Sequence, residues 1–350
     1  MKILIIQNKR IGDVLLASII PNNLKKKYPN SVIFFLCYDY AAPVLENNPN
    51  IDHIIAVKEK ELKQIKNLIS TAFYIKDEKF DVIIDPYVKF QSQFLSLFSN
   101  AKKRISYQKK TLPLAYTHKI PILEEQDSPF GKAIDDRINL IKCLDGETEI
   151  EAAPKLFLTE EEKNEGASIL APLNKNRKTI MFGILGSDAS KSLPVSYTAE
   201  IINYLIDNYD VNIIFNYIPS QRPSVDKILA EVKTSDKIYP DIFGKSLRDF
   251  IKIVYHCDGM IANEGGSIHI AKAFKKATFT IFSPYIVKEF WATFENEPQN
   301  QSIHLKDVKP ELFAGKSKKE LYKQSSSLYH EFTPDYILPQ INEFMKKNSF

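Results

Sequence analysis

The chain has 350 residues, 44% hydrophobic and 26% charged, with 47 Lys and Arg against 43 Asp and Glu for a net charge of +4. That length exceeds what one core usually organises, so two domains are expected; the mild basicity gives no ground for nucleic-acid binding and fits a groove for a phosphate-bearing ligand or an anionic membrane surface equally well. Three scattered cysteines (Cys37, Cys143, Cys257) exclude a disulfide framework and a Cys-based zinc site, and with no signal peptide and no apolar run of the ~18–20 residues a span needs, a cytoplasmic chain is expected.

Residues 3–6 are a continuous apolar run of the kind found in buried parallel strands. After the loop Asn8-Lys9-Arg10-Ile11-Gly12-Asp13, Val14, Leu15, Ile19 and Leu24 have helical spacing up to Tyr28-Pro29. A strand over 31–37, a short helix over 41–47, a strand over 54–57, a helix over 62–75 and a strand over 80–86 follow. A helix over 133–144 leads into the polar stretch 145–177, the expected connection between domains, part of which (160–169) reads as helical. The alternation restarts with strands over 179–184, 211–217, 259–262 and 278–282 and helices over 197–209, 225–232, 247–256 and 268–274. A closing helix covers 336–347. Strands alternating with helices imply βαβ units, parallel sheets and an α/β fold. The expected domains are 1–160 and 161–330, with the closing segment 331–350 packing back on the first. Open sheets of this kind place ligands at the carboxyl ends of their strands, so facing sheets would enclose a central cleft.

Three strand-end motifs can carry chemistry. In Lys9-Arg10-Ile11-Gly12-Asp13, Gly12 would allow a tight turn and Asp13 would stand near a helix N-terminus, as a cap or as a general base. In the stretch from Gly183 to Pro194, Ser187 and Ser190 could donate hydrogen bonds and Lys191 supplies a point charge for phosphate, or the segment is a polar loop with a solvated lysine; it is no Walker A motif. In Asn263-Glu264-Gly265-Gly266-Ser267-Ile268-His269, paired glycines and the following helix N-terminus suit a phosphate. Glu264 could accept ribose hydroxyls or cap the helix, and His269 is as well read as a structural residue. Asp85 and Lys89, closing the strand over 80–86, could line an acceptor pocket or be a solvated strand end. The basic run Lys102, Lys103, Arg104, Lys109 and Lys110 is a solvated face or a contact for an anionic, membrane-borne acceptor.

Together these motifs resemble the family-9 glycosyltransferases, the heptosyltransferase-like enzymes of bacterial lipopolysaccharide core assembly. The resemblance is carried by MKILIIQNKRIGDVLLASIIP (1–21), Asn48-Pro49-Asn50-Ile51-Asp52, 80–85, 186–194 and SLRDFIKIVYHCDGMIANEGGSIHIAKAFKKATFTIFSP (246–284). It spans nearly the whole chain in order and is weak over 111–176. It implies a GT-B fold of two Rossmann-like domains and transfer, with inversion, of a sugar such as heptose from a nucleotide donor to an anionic glycolipid. By the resemblance Asp13 would deprotonate the acceptor, Ser187 and Lys191 would hold the donor phosphates, and Glu264, Gly265, Gly266 and His269 would meet the nucleotide and sugar. Gln221 would stand where the family often has a ribose-binding acid, and Gly12, Asp85 and Lys89 would lie on the acceptor side. Lys191 and helix-terminal amides can stabilise a leaving diphosphate, so neither metal nor cofactor is expected, and the donor is expected to be ADP-linked. Glu264-Gly265 departs from the Asp followed by Ser or Thr that many members carry, which would alter the donor pocket. Peripheral contact with the inner membrane stays open, as do a non-catalytic nucleotide-binding protein and a GT-B nucleotide-sugar epimerase; a Rossmann oxidoreductase is disfavoured by the missing G-x-G-x-x-G.

Overall fold

The computed structural model describes residues 1–145, 149–186 and 191–350. The chain divides into two units, Met1–Phe157 and Leu158–Phe350. In the first, β1 (Lys2–Ile6), β2 (Val32–Tyr38), β3 (His53–Val57), β4 (Val82–Asp85), β5 (Lys103–Tyr107) and β6 (His118–Ile120) form a sheet in the order β3-β2-β1-β4-β5-β6. Every pairing is parallel. The strands are short apolar runs because helices cover both faces: Ile3 to Ile6 are fully buried, and Ile3 sits opposite both Ile33 and Val82. The crossovers carry α1 (Ile11–Ala17), α2 (Ile19–Lys27), α3 (Glu59–Leu62), α4 (Ile65–Asp77), α5 (Phe90–Phe98) and α6 (Lys132–Asp145).

The second unit repeats this winding. β7 (Lys178–Gly183), β8 (Val211–Phe215), β9 (Ile238–Tyr239), β10 (Gly259–Asn263), β11 (Ala277–Ile281) and β12 (Asn300–Ile303) are parallel in the order β12-β11-β10-β7-β8-β9. Counted from β7, that is the order of the first sheet. Its helices are α7 (Glu160–Ile169), α8 (Val195–Asn208), α9 (Arg222–Leu229), α10 (Leu247–His256), α11 (Gly266–Ala273), α12 (Lys288–Trp291), α13 (Leu305–Val308), α14 (Lys318–Lys323), α15 (Ser325–Glu331) and α16 (Pro334–Lys347). In both sheets the strand order reverses beside the first strand, between β1 and β4 and between β7 and β10. A doubly wound sheet opens a crevice at that point, at the carboxyl ends of the strands.

Several expectations change. The first helix is two, broken at Ser18, whose hydroxyl donates to the Leu15 carbonyl at 2.7 Å. Lys103 and Arg104 begin β5, which the run of cations concealed, and the Arg104 guanidinium donates to the carbonyls of Ala101, Leu114 and Ala115. The boundary between the units falls within the stretch 145–177. Glu151 exchanges backbone hydrogen bonds with the Asn23 side chain at 2.8 and 2.9 Å, and α7 belongs to the second unit, so the boundary falls at Phe157–Leu158 rather than at 160. The closing helix lies in the second unit. Ile337, Ile341, Phe344 and Met345 of α16 are fully buried in one core with Ile180, Ile213 and Phe279 of the second sheet. Their spacing of four, three and one gives α16 the apolar face that is buried in that core.

Candidate active site

In the first unit β1 is followed by Gln7-Asn8, and the chain turns through Lys9-Arg10 into α1. Gly12 lies buried in the first turn of that helix and has no left-handed backbone, so the turn does not depend on it. Asp13 is 7% exposed. Its Oδ1 accepts from Lys9 Nζ at 2.9 Å and lies 3.6 Å from Arg137 Nη2, which also donates to the Asp13 carbonyl at 3.4 Å. Two cations and a helix start therefore keep the carboxylate oriented. Around it are buried polar atoms without hydrogen-bond partners among the described residues: Gln7 Oε1, Asn8 Oδ1, Tyr107 OH and Arg137 Nε. Such orphans are rare in a finished core and mark a place where a polar ligand would complete the bonding.

Asp85 is a correction. It is fully buried, and its carboxylate accepts from the Tyr87 and Val88 N–H groups at 2.8 and 3.0 Å and from the Tyr116 hydroxyl. Burial pushes the carboxyl above its usual range even against those bonds. It shapes the turn after β4 and has no face toward a ligand. Lys89 is exposed and caps α5, its N–H donating to Ser92 Oγ at 3.0 Å. Lys109, beyond the end of β5, is held below the ordinary lysine value by burial and by the charges of Lys9 and Lys89. These three lysines therefore share one end of the sheet.

In the second unit Lys191 and Glu264 meet. Lys191 Nζ lies 2.7 Å from Glu264 Oε1, with side chains 23% and 11% exposed. The same oxygen accepts from Ser283 Oγ at 3.2 Å, and Ser283 accepts from the Tyr329 hydroxyl at 2.9 Å. Ser283 and Tyr329 are buried, so a chain of hydroxyls fixes the carboxylate from behind. Gly186 is needed where it stands: a Cβ there would lie 2.1 Å from the Lys191 carbonyl oxygen. Gly265 takes φ 158° and ψ −173°, a backbone that side chains rarely adopt, and opens onto free space. Gly266 begins α11, whose N-terminus has no side-chain cap. Asn263 Oδ1 is buried there without a hydrogen-bond partner among the described residues.

Gln221 is engaged locally, donating to the Gly186 carbonyl at 3.1 Å and accepting from the Ile218 N–H at 3.0 Å. It lines a cavity of about 450 Å³ with Gly186, Ser192, Pro194, Lys227 and Tyr329. His269 is buried in α11, its Nδ1 3.4 Å from Thr293 Oγ1 and its ring 6.2 Å from that of Trp291. Ser187 lies outside the described residues. Sequence reasoning missed Arg137, Tyr107, Ser283 and Tyr329. Arg137 alone left a trace, since it shares the apolar face of α6 with Ala133 and Ile141.

The family model of glycosyltransferase family 9 (heptosyltransferase) matches residues 70–314. Lipopolysaccharide heptosyltransferase 1 of Campylobacter coli is 21% identical over 289 residues, covering 81% of this chain and 84% of that one. A glycosyl transferase of family 9 from Veillonella parvula superposes with a TM-score of 0.75 at 19% identity, over 94% of this chain and 97% of that one. The ADP-heptose lps heptosyltransferase II of E. coli does so with a TM-score of 0.67 at 16% identity, over 95% and 99%. The two doubly wound sheets are accordingly those of a GT-B fold, and the chain belongs to glycosyltransferase family 9, the heptosyltransferase family, and is a glycosyltransferase.

Proposed function

We propose that the enzyme moves a heptose or related sugar, with inversion and without a metal, from an ADP-linked donor to a lipopolysaccharide-core or other envelope glycolipid on the cytoplasmic side of the inner membrane. The donor is suggested by the E. coli relative described as an ADP-heptose enzyme. Asp13 takes the proton of the acceptor hydroxyl, and the oxygen attacks the anomeric carbon from the face opposite the diphosphate. The bond from that carbon to the phosphate oxygen breaks, and the diphosphate leaves with the electron pair. Lys191, Ser187 and the N–H groups at the start of α11, which has no side-chain cap, receive that charge. Glu264 and Gly265 meet the sugar, Gln221 borders the nucleoside cavity, and His269 supports the loop from α11. Lys89 faces the acceptor.

The observation that supports this most is the Lys191–Glu264 pair braced by Ser283 and Tyr329. It supports this reading because a cation, a carboxylate and the uncapped start of α11 come together at the strand ends, a combination suited to a sugar diphosphate. The test is a thermal-shift panel of ADP-, GDP-, UDP- and CMP-sugars, followed by transfer to purified acceptors and assignment of the product anomer. A donor at 100 times its Kd should stabilise the fold by about 2.7 kcal/mol. Silence toward all four would refute the donor site, and a retained anomeric configuration would refute the direct displacement.

A further inference from the structure

α5 buries Leu95 in the first unit's core and leaves Phe90 and Phe98 57% and 48% exposed, with Phe94 half-buried between them. Positions 90, 94 and 98 follow one helical face, with ring centroids 6.3 and 4.3 Å apart along it. The adjoining helix α4 repeats the pattern: Leu68, Ala72 and Ile75 are buried, while Ile65, Ile69 and Phe73, again four apart, are exposed. Single exposed apolar side chains are ordinary, but full stripes on two neighbouring helices mark a contact surface. A loop extends it. The Leu112 N–H donates to Gln93 Oε1 at 2.6 Å and Ser96 Oγ donates to the Ala115 carbonyl at 3.1 Å, tying the loop to α5 and holding Leu114 79% exposed.

The charge on α5 and its loop has one sign, whereas the α4 stripe ends at the exposed Asp77. Residues 86–123 carry seven Lys and Arg and no Asp or Glu, although the whole chain is only +4, so the rest of the chain is net negative. Lys102 and Lys110 are exposed. Lys89 caps α5 where the phenylalanine stripe begins, at the carboxyl end of β4, the end of the sheet at which Asp13 stands. The stripe thus starts beside the proposed acceptor side and runs outward from it. A second copy of the chain is a poor occupant, because a twofold contact would set these cations against themselves. Among the described residues no helix is long and apolar enough to cross a membrane, so lipid contact here would be peripheral.

We propose that the phenylalanine stripe of α5, the Leu112–Leu114 loop and the lysines around them lay the first unit on an anionic lipid surface, so that Asp13 meets acceptors carried in that surface. The purpose of such a surface rests on the glycolipid-acceptor reading, but its test does not. Apolar side chains that enter the interface beside cations that attract anionic headgroups are the usual composition of such contacts.

The test is flotation of the full chain with vesicles of phosphatidylcholine alone and vesicles containing phosphatidylglycerol, at low and high salt. The chain should bind the anionic vesicles and be released by salt. Lys102→Glu should weaken binding by more than about 5-fold, the effect of one cation at such a surface, and Phe98→Ser should weaken it as well. Both variants should keep the parent's thermal midpoint and its transfer to a water-soluble saccharide acceptor. No binding of the parent to anionic vesicles, or equal binding by parent and both variants, would overturn the proposal. So would a concentration-dependent dimer that Phe98→Ser abolishes, since the face would then belong to a second copy. Vesicle binding without transfer to any acceptor would count against the functional reading alone.

Discussion

Lys191 can be a ligand for the donor diphosphate or merely the counter-ion of Glu264, and a double-mutant cycle separates the two. Its Nζ is 2.7 Å from Glu264 Oε1, and the pair keeps some solvent contact, so its net worth to the fold is about 1 kcal/mol. Lys191→Met leaves Glu264 with the Ser283 hydroxyl as its remaining support in this network. Removal of a pair of that worth should lower the thermal midpoint by about 2–4 °C. Glu264→Gln keeps an acceptor oxygen for Lys191 and Ser283 and removes the charge, so its cost should be smaller. In the double variant the two losses should not add, because each single change strands one charge of the pair and the double change strands none. Transfer should behave differently. A charge-assisted hydrogen bond from Lys191 to a phosphate oxygen is worth about 1.5–3 kcal/mol, so Lys191→Met should lower kcat/KM by about 10- to 150-fold, and Glu264→Gln added to it should not restore the loss. Stability is read by denaturant titration and transfer by product formation at limiting donor. Recovery of both stability and kcat/KM in the double variant would refute the phosphate role and leave Lys191 as a counter-ion.

Asp13→Asn should keep the fold, since the Arg137 bond to the backbone carbonyl is untouched, while kcat falls by about 10²–10⁴; near-parental turnover on purified acceptor would remove Asp13 as the base. Tyr329→Phe deletes the hydroxyl behind Ser283 and should cost about 0.5–1.5 kcal/mol of stability with a rise in donor KM larger than any fall in kcat; an unchanged donor KM in an otherwise destabilised variant would separate Tyr329 from the donor site. Arg248 grips Glu162 with bonds of 2.6 and 2.7 Å and holds its carboxyl down to about 2, from 4.5. A depressed carboxyl stabilises the fold above its unfolded value and loses that contribution as pH falls from about 4.5 toward 2, about 1–2 kcal/mol after solvent screening. Arg248→Met should therefore flatten the stability difference between neutral and acid solution by that amount, and equal differences in parent and variant would refute the assignment. Phe344→Ala, in the fully buried face of α16, should cost about 3–5 kcal/mol by denaturant titration; a cost below 1 kcal/mol would mean the helix is not seated in that core.

The alternation of apolar runs with helical spacing was enough to read the parallel sheets, because a strand covered on both faces has no polar side to confuse the period. It failed where another demand shaped the segment. β5 opens with Lys103-Arg104 because Arg104 braces the carbonyls of the following loop. β6, β9 and β12 are edge or near-edge strands of two to four residues, too short to show a period. Asp85 looked like a ligand-facing acid because acids at strand ends usually are exposed. Tyr116, 31 positions away, Ser92 and the turn at Tyr87 and Val88 satisfy it in its buried place.

The two units use one winding, and their charged groups show why one unit was easier to read than the other. At the first reversal of strand order the carboxylate of Asp13 is steadied by Lys9, four residues before it, a spacing that a helix start brings together by itself. The local sequence therefore carries that group with one of its partners. At the second reversal the roles of the charges are exchanged: the cation Lys191 is steadied by Glu264, 73 residues later, which is held by Ser283 and by Tyr329 beyond it. No local pattern encodes that arrangement. It exists because β7, β10 and β11 are neighbours in the sheet and α15 brings Tyr329 to the end of β11. A change in α15 or in the turn after β11 should therefore reach Lys191 through Glu264, whereas the Lys9–Asp13 pair depends on the short turn that precedes α1.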